Sequence, residues 1–317
     1  MKKTLPLFLI CILICCGAHA QRTEVYNPHI HTVQVIANND YMVPAVIRLG
    51  EGETVEISFD HLTHDYHRYQ YVLTHCNADW TPSDLSETEY LDGFNDNPIE
   101  DHDISVNTTL PYTHYRLTLP NDQVRPKLSG NYRLLVYEDA EGKNKPAFST
   151  CFRILEKEVN ISAQVSSDTE IDRNKNHQQV SFSIQHKGYP IRNPQNEIRV
   201  HVLQDNRTDN EVTNLQPSYV GPDQLRYEHN RALIFPAGNE YRRFEMVSTR
   251  YASQGVESIR YHAPYYHVTL QPDLPRLLNY SYDQDQNGRF VIRYDEAVDN
   301  NTEADYFFVH FSLLWEN

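Results

Sequence analysis

Residues 69–80 read YQYVLTHCNADW. Tyr69, Tyr71 and Leu73 alternate with Gln70, Val72 and Thr74, a period of two that sends successive side chains to opposite faces of a β-strand. Aromatic and β-branched residues suit such a strand. The histidine and cysteine that follow have the chemistry of a base and a nucleophile. If the strand runs through them, His75 and Cys76 point to opposite faces and cannot form a dyad with each other.

The same alternation recurs along the chain. Val55, Ile57 and Phe59 alternate with Thr54, Glu56 and Ser58; Val180, Phe182 and Ile184 alternate with Ser181 and Ser183; EIRVHV places Ile198, Val200 and Val202 on one face. No stretch sustains a helical period, and only SDLSETEYL, residues 83–91, has the character of a helical turn or two. Short strands punctuated by Pro, Asn, Asp and Gly predict an all-β chain of tandem, immunoglobulin-like β-sandwich domains.

The first residues form a separate object. Lys2 and Lys3 precede an apolar run from Leu5 to Cys16, and Ala18-His19-Ala20 is a small-x-small cleavage pattern, so residues 1–20 are expected to be a signal peptide. Cys15 stands before Cys16 where lipid attachment favours a small residue, which makes acylation the weaker reading. No later run reaches the roughly 18 apolar residues of a membrane-spanning helix. The mature chain is expected to be exported, with no direct membrane insertion.

A first sandwich is expected over residues 21–157, ending after CFRILEKEVNISAQV opens a polar stretch, and a second over 158–298. The final strand, Tyr306 to Leu314, is apolar on both faces and needs neighbours on both sides. Residues 299–317 are therefore expected to open a truncated C-terminal β module.

Acidic residues number 43 against 28 basic ones, for a formal net charge of −15. Nucleic acid and anionic membrane surfaces are poor partners for such a chain. Of five cysteines only Cys76 and Cys151 lie beyond the signal, and two buried thiols are favoured over one long-range disulfide.

His61, His64 and His67 in FDHLTHDYHRY, with Asp60 and Asp65, imitate metal-ligand spacing. They lie between two strands, where a three-residue interval does not converge as it does on a helix. His29-Ile30-His31 alternates faces with an isoleucine between the two histidines, a weaker pattern still. DQDQNG, Asp283 to Gly288, imitates a calcium loop but has Tyr294 at the position that needs a bidentate carboxylate, so an Asn287-Gly288 turn is the better reading. Asp101 and Asp103 read as solvated surface. With no nucleophile elbow, phosphate loop or zinc-protease motif present, neither an enzyme nor a cofactor or metal is expected. The 22 tyrosines suit interfaces, because a large rigid ring carries one polar tip.

Five stretches in order, FDHL (59–62), YQYVLTHCNADWTPSDLSETEYLDGF (69–94), SVNTTLPYTHYRLTLPN (105–121), SGNYRLLVY (129–137) and FPAGNEYRRFE (235–245), resemble the plug proteins of the bacterial type IX secretion system. The resemblance runs from about Pro28 to Leu313. It implies a non-catalytic periplasmic β-sandwich protein, acting as a monomer, that binds the outer-membrane barrel of the translocon and closes its periplasmic opening. It also implies that Trp80 packs at a corner and Asp79 serves a turn. The loops 80–93 and 107–115 are the most family-like, and Trp80, Tyr90, Phe94, Tyr112 and Tyr115 are the expected partner-binding residues. Two departures stand out: Cys151 replaces an expected basic residue, and the family's further C-terminal β module has no counterpart in the sequence. A periplasmic glycan-binding module using Trp80 and exposed tyrosines is the alternative, and a histidine-dependent metallohydrolase ranks third.

Overall fold

The computed structural model describes residues 22–237, 242–273 and 288–312. The expected signal peptide, the turn residues Asp283 to Asn287, and Leu313 and Leu314 lie outside the described residues.

The first sandwich opens with β1 (Glu24–Val25), β2 (Ile30–Ala37), β3 (Val46–Arg48), β4 (Val55–His61) and β5 (Tyr69–Cys76). A single helical turn, α1 (Glu87–Tyr90), leads into β6 (Leu91–Gly93), β7 (Asn97–Pro98), β8 (Asp101–Ile104) and β9 (Thr113–Leu119). It closes with β10 (Val124–Pro126), β11 (Gly130–Glu138) and β12 (Pro146–Leu155). One sheet runs β1-β12-β11-β5-β7 with β3 parallel to β12, and the facing sheet runs β2-β4-β9-β8.

The alternation in the sequence dictates this layering. Tyr69, Tyr71 and Leu73 of β5 and Phe59 of β4 are fully buried between the sheets. Phe59 stacks on Tyr115 at 5.0 Å and meets Tyr69 and Phe148 edge-on at 5.1 and 4.9 Å, so one ring touches both sheets. His75, on the same face as Leu73, turns inward at the end of the core, where Nδ1 meets Ser83 Oγ at 2.9 Å. Gly130 lies beside it with φ +143°, and a Cβ there would come 2.4 Å from His75 Nε2, so glycine is required. Ser86 caps α1 in a capping box with Glu89, whose carboxylate accepts from the Ser86 amide at 2.7 Å.

The second part contains β13 (Asn160–Ser166), β14 (His177–Gln185), α2 (Pro194–Glu197), β15 (Tyr219–Val220), β16 (Gln224–Tyr227) and β17 (Ile234–Pro236). Its sheet runs β13-β14-β16-β15 with β17 beside β14, over a core of Phe182, Ile184, Leu215, Leu225, Tyr227 and Leu233. Ile198, Val200 and Val202 pack against this core without forming the expected strand. Among the described residues their only ladder contact is the bridge between Val202 and Val212, too little pairing to hold an extended run in a sheet.

Beyond it come β18 (Val256–His262), β19 (Tyr265–Leu270), α3 (Asn300–Glu303) and β20 (Phe307–His310), and the three strands form a sheet in which β20 runs parallel to β19. Among the described residues the last strand, expected to open a truncated C-terminal β module, is paired on one side, to β19. Tyr266 and Val268 stand opposite Phe307 and Val309, while Phe308 and Phe311 remain 50% and 65% exposed.

Candidate functional site

The five aromatic residues expected at a partner surface do not share one. Tyr90, Tyr112 and Tyr115 are buried, each spending its hydroxyl on a backbone carbonyl: Leu73, Ala304 and His67 respectively. Trp80 is buried too, held at φ +66° in the turn that Asp79 closes by accepting from the Thr81 amide and hydroxyl. The guanidinium of Arg153 lies over its ring at 5.1 Å. That cover removes Trp80 as a sugar-stacking platform. These four residues are scaffold, which corrects the expectation that they meet a partner directly.

Phe94 is different, being 85% exposed. It sits at a tip where β6 pairs with β10, and its amide donates to the Gln123 carbonyl at 3.2 Å. The next residue pins the tip to the sandwich: the Asn95 side chain accepts from the Leu73 amide and donates to its carbonyl, both at 2.8 Å. Polar residues flank the tip. Asp92 pairs across to Arg125, Arg125 bonds Asp122 at 3.0 Å, and Asp96 forms an ion pair with Lys143 at 2.8 Å. A rigidly mounted aromatic within a polar rim has the composition of an interface anchor.

The histidine motifs dissolve into separate roles. His64 bonds Ser105 Oγ at 2.9 Å, and His67 bonds Glu138 at 2.9 Å. His61 shares a 3.0 Å bond with the Tyr69 hydroxyl and lies 4.0 Å from the His67 ring. Among the described residues no group of three His, Cys, Asp or Glu side chains is arranged to hold a metal ion. Asp101 and Asp103 both hold Arg116, so their carboxylates serve an ion-pair cluster. Cys76 and Cys151 are free thiols on β5 and β12, with β11 between them. Two strand spacings, about 10 Å, exceed the roughly 7 Å that a disulfide spans.

A family model described as the type 9 secretion system plug protein 1st domain matches residues 30–156. The crystal structure of a hypothetical protein from Parabacteroides merdae superposes with a TM-score of 0.89 at 48% identity, covering 93% of this chain and 74% of that one. The chain belongs to the type 9 secretion system plug protein family. No curated protein matches it. A DNA-bound alkylpurine DNA glycosylase, AlkC of Pseudomonas fluorescens, aligns at 13% identity over 40% of this chain and 30% of its own with a TM-score of 0.21, a likeness that carries no argument.

One face of the plug domain is already occupied from within. Asp60 and His114, neighbours on the outer face of β4 and β9, are buried although they point away from the core. The segment around α3 covers them. Tyr112 donates to the Ala304 carbonyl at 2.9 Å, Thr109 donates through its amide and hydroxyl to Asp305 at 2.6 and 2.8 Å, and Val106 donates to the Thr302 carbonyl at 2.8 Å. Further along, Arg289 donates to the carbonyls of Tyr41 and Val43 at 3.1 and 2.6 Å. No local pattern in the sequence announces this clasp. A hint exists only in retrospect, since an Asp and a His directly opposite on a sheet's outer face call for a cover or for water. The Phe94 tip belongs to the same domain and remains open.

Proposed function

We propose that this chain is a non-catalytic periplasmic plug that binds the outer-membrane barrel of the type IX translocon and closes its periplasmic opening. The observation that carries the reading is the plug-domain match over residues 30–156, the sandwich that mounts the exposed Phe94. A plug needs a rigid folded body and a contact of standard interface size, and it needs no nucleophile or cofactor. The aromatic core supplies the rigidity, and Phe94 with its rim supplies an anchor. Division of the chain at Lys157 into a contacting first domain and a supporting second unit belongs to the same proposal.

Loss of the gene tests it. Outer-membrane permeability to a large glycopeptide antibiotic is expected to rise in the deletion strain and to return to the parental level on complementation. Unchanged permeability in a strain that retains the barrel would contradict closure.

A further inference from the structure

Strand β13 runs from Asn160 to Ser166 at the rim of its sheet and, among the described residues, pairs only with β14, in an unbroken register from Asn160–Gln185 to Ser166–Gln179. Its other edge turns a row of backbone N–H and C=O groups outward, the arrangement that recruits another strand unless it is guarded. The remaining edges among the described residues are guarded or short. β8 carries Asp101 and Asp103, β2 bulges between His31 and Gln34, and β18 is bulged and carries Glu257 and Arg260. β1, β3, β6, β7, β10, β15 and β17 span two or three residues each, and the apolar edge β20 spans four. β13, NISAQVS, has no charge, no proline and no bulge. Ile161 and Val165 are 66% and 59% exposed and extend the apolar row of Ile184, Phe182 and Val180 past the rim of the core.

We propose that β13 is a docking edge for a second copy of this chain, pairing antiparallel with itself about a two-fold axis at Ala163. In that register the strand is self-complementary from end to end. Ile161 stands opposite Val165 of the other copy, Ser162 opposite Gln164, and Asn160 opposite Ser166. Each β-branched pair packs side chain against side chain across the two strands. Charge favours this place over others on a chain of net −15, because the strand itself is neutral. Only at the flanks does Glu158 face Asp168 of the other copy. The contact is smaller than the standard interface of about 800 Å² per partner, so the dimer is weak and concentration-dependent. It closes on itself, since a two-fold contact uses the same edge on both copies. β13 lies outside the matched plug domain, so a dimer leaves the Phe94 tip free, and it replaces the monomer expected from the sequence.

Sedimentation velocity of the mature chain over a concentration series tests the proposal. The expected result is a monomer-dimer equilibrium that strengthens with salt and is lost in Val165→Lys, while Ile171→Lys, an equally exposed site off the strand, dimerises as the parent does. Both variants change exposed side chains, and an unchanged thermal melt confirms their fold. Under mild oxidation Ala163→Cys is expected to cross-link to itself in high yield and Ser166→Cys is not, which reads the register directly. A monomer at every concentration, a dimer that survives Val165→Lys, or an open-ended series of oligomers would overturn it.

Discussion

The hydroxyl of Tyr306 donates to Oδ2 of Asp60 at 2.5 Å, while Oδ1 of the same carboxylate holds Nδ1 of His114 at 2.6 Å. Residues 246 positions apart are thus joined on the outside of a sheet. The clasp makes the C-terminal segment part of the stability of the first sandwich.

Tyr306→Phe removes one donor from a buried carboxylate and is expected to destabilise the chain by roughly 1.5–3 kcal/mol, the usual range for a hydrogen bond to a charged group. Trimming the chain before Ala304 also deletes the acceptor of Tyr112 and the Asp305 contacts with Thr109, so it should cost more than the point change. Urea unfolding measures both. Midpoints equal to the parent's would show that the segment merely rests on the sheet, as expected of a strand from a separate module.

A pH dependence follows from His61. Burial, followed by the nearby imidazoles of His67 and His29, holds its pKa at about 4, below the ordinary 6.5. The unfolded chain takes up a proton below pH 6.5 that the folded chain refuses until about pH 4. The contribution of neutral His61 is therefore fully present above pH 6.5 and is lost as pH falls toward 4, to a total of roughly 3 kcal/mol. His61→Gln should flatten the stability profile between these two pH values. Parallel profiles for parent and variant would contradict the assignment.

The thiols offer a third check. Burial raises the pKa of the Cys76 thiol and pushes that of Cys151 up to about 11, and β11 separates them. Both should titrate as free thiols in denaturant and react slowly with a disulfide reagent when folded. A mass two hydrogens lower in non-reduced protein, with no thiol released by denaturant, would contradict the strand order.

The first sandwich was legible in the sequence because alternation is a local signal. Tyr69, Tyr71 and Leu73 announced both strand and buried face, and His75 and Cys76 lie on opposite faces as that period requires. SDLSETEYL yielded its single helical turn through Ser86 and Glu89. What failed was any inference that needed distant contacts. Ile198, Val200 and Val202 have the alternation of a strand, but pairing depends on a neighbour that the pattern does not name. Tyr90, Tyr112 and Tyr115 lie in family-like loops with polar neighbours, yet each bends back to a backbone acceptor elsewhere. Phe94 is exposed at the tip that β6 and β10 form. The Asp60–His114–Tyr306 clasp joins three segments whose local sequences give no sign of one another.

On the proposed reading the plug domain docks on the translocon barrel through the Phe94 tip. Affinity capture of the tagged protein from detergent-solubilised outer membranes, with Phe94→Glu in parallel, tests it most directly. The account predicts that the barrel co-purifies with the parent and is reduced at least tenfold with Phe94→Glu, whose thermal melt stays within a degree or so of the parent because the ring is already in solvent. Equal recovery of the barrel by both proteins, or no barrel with either, would contradict it.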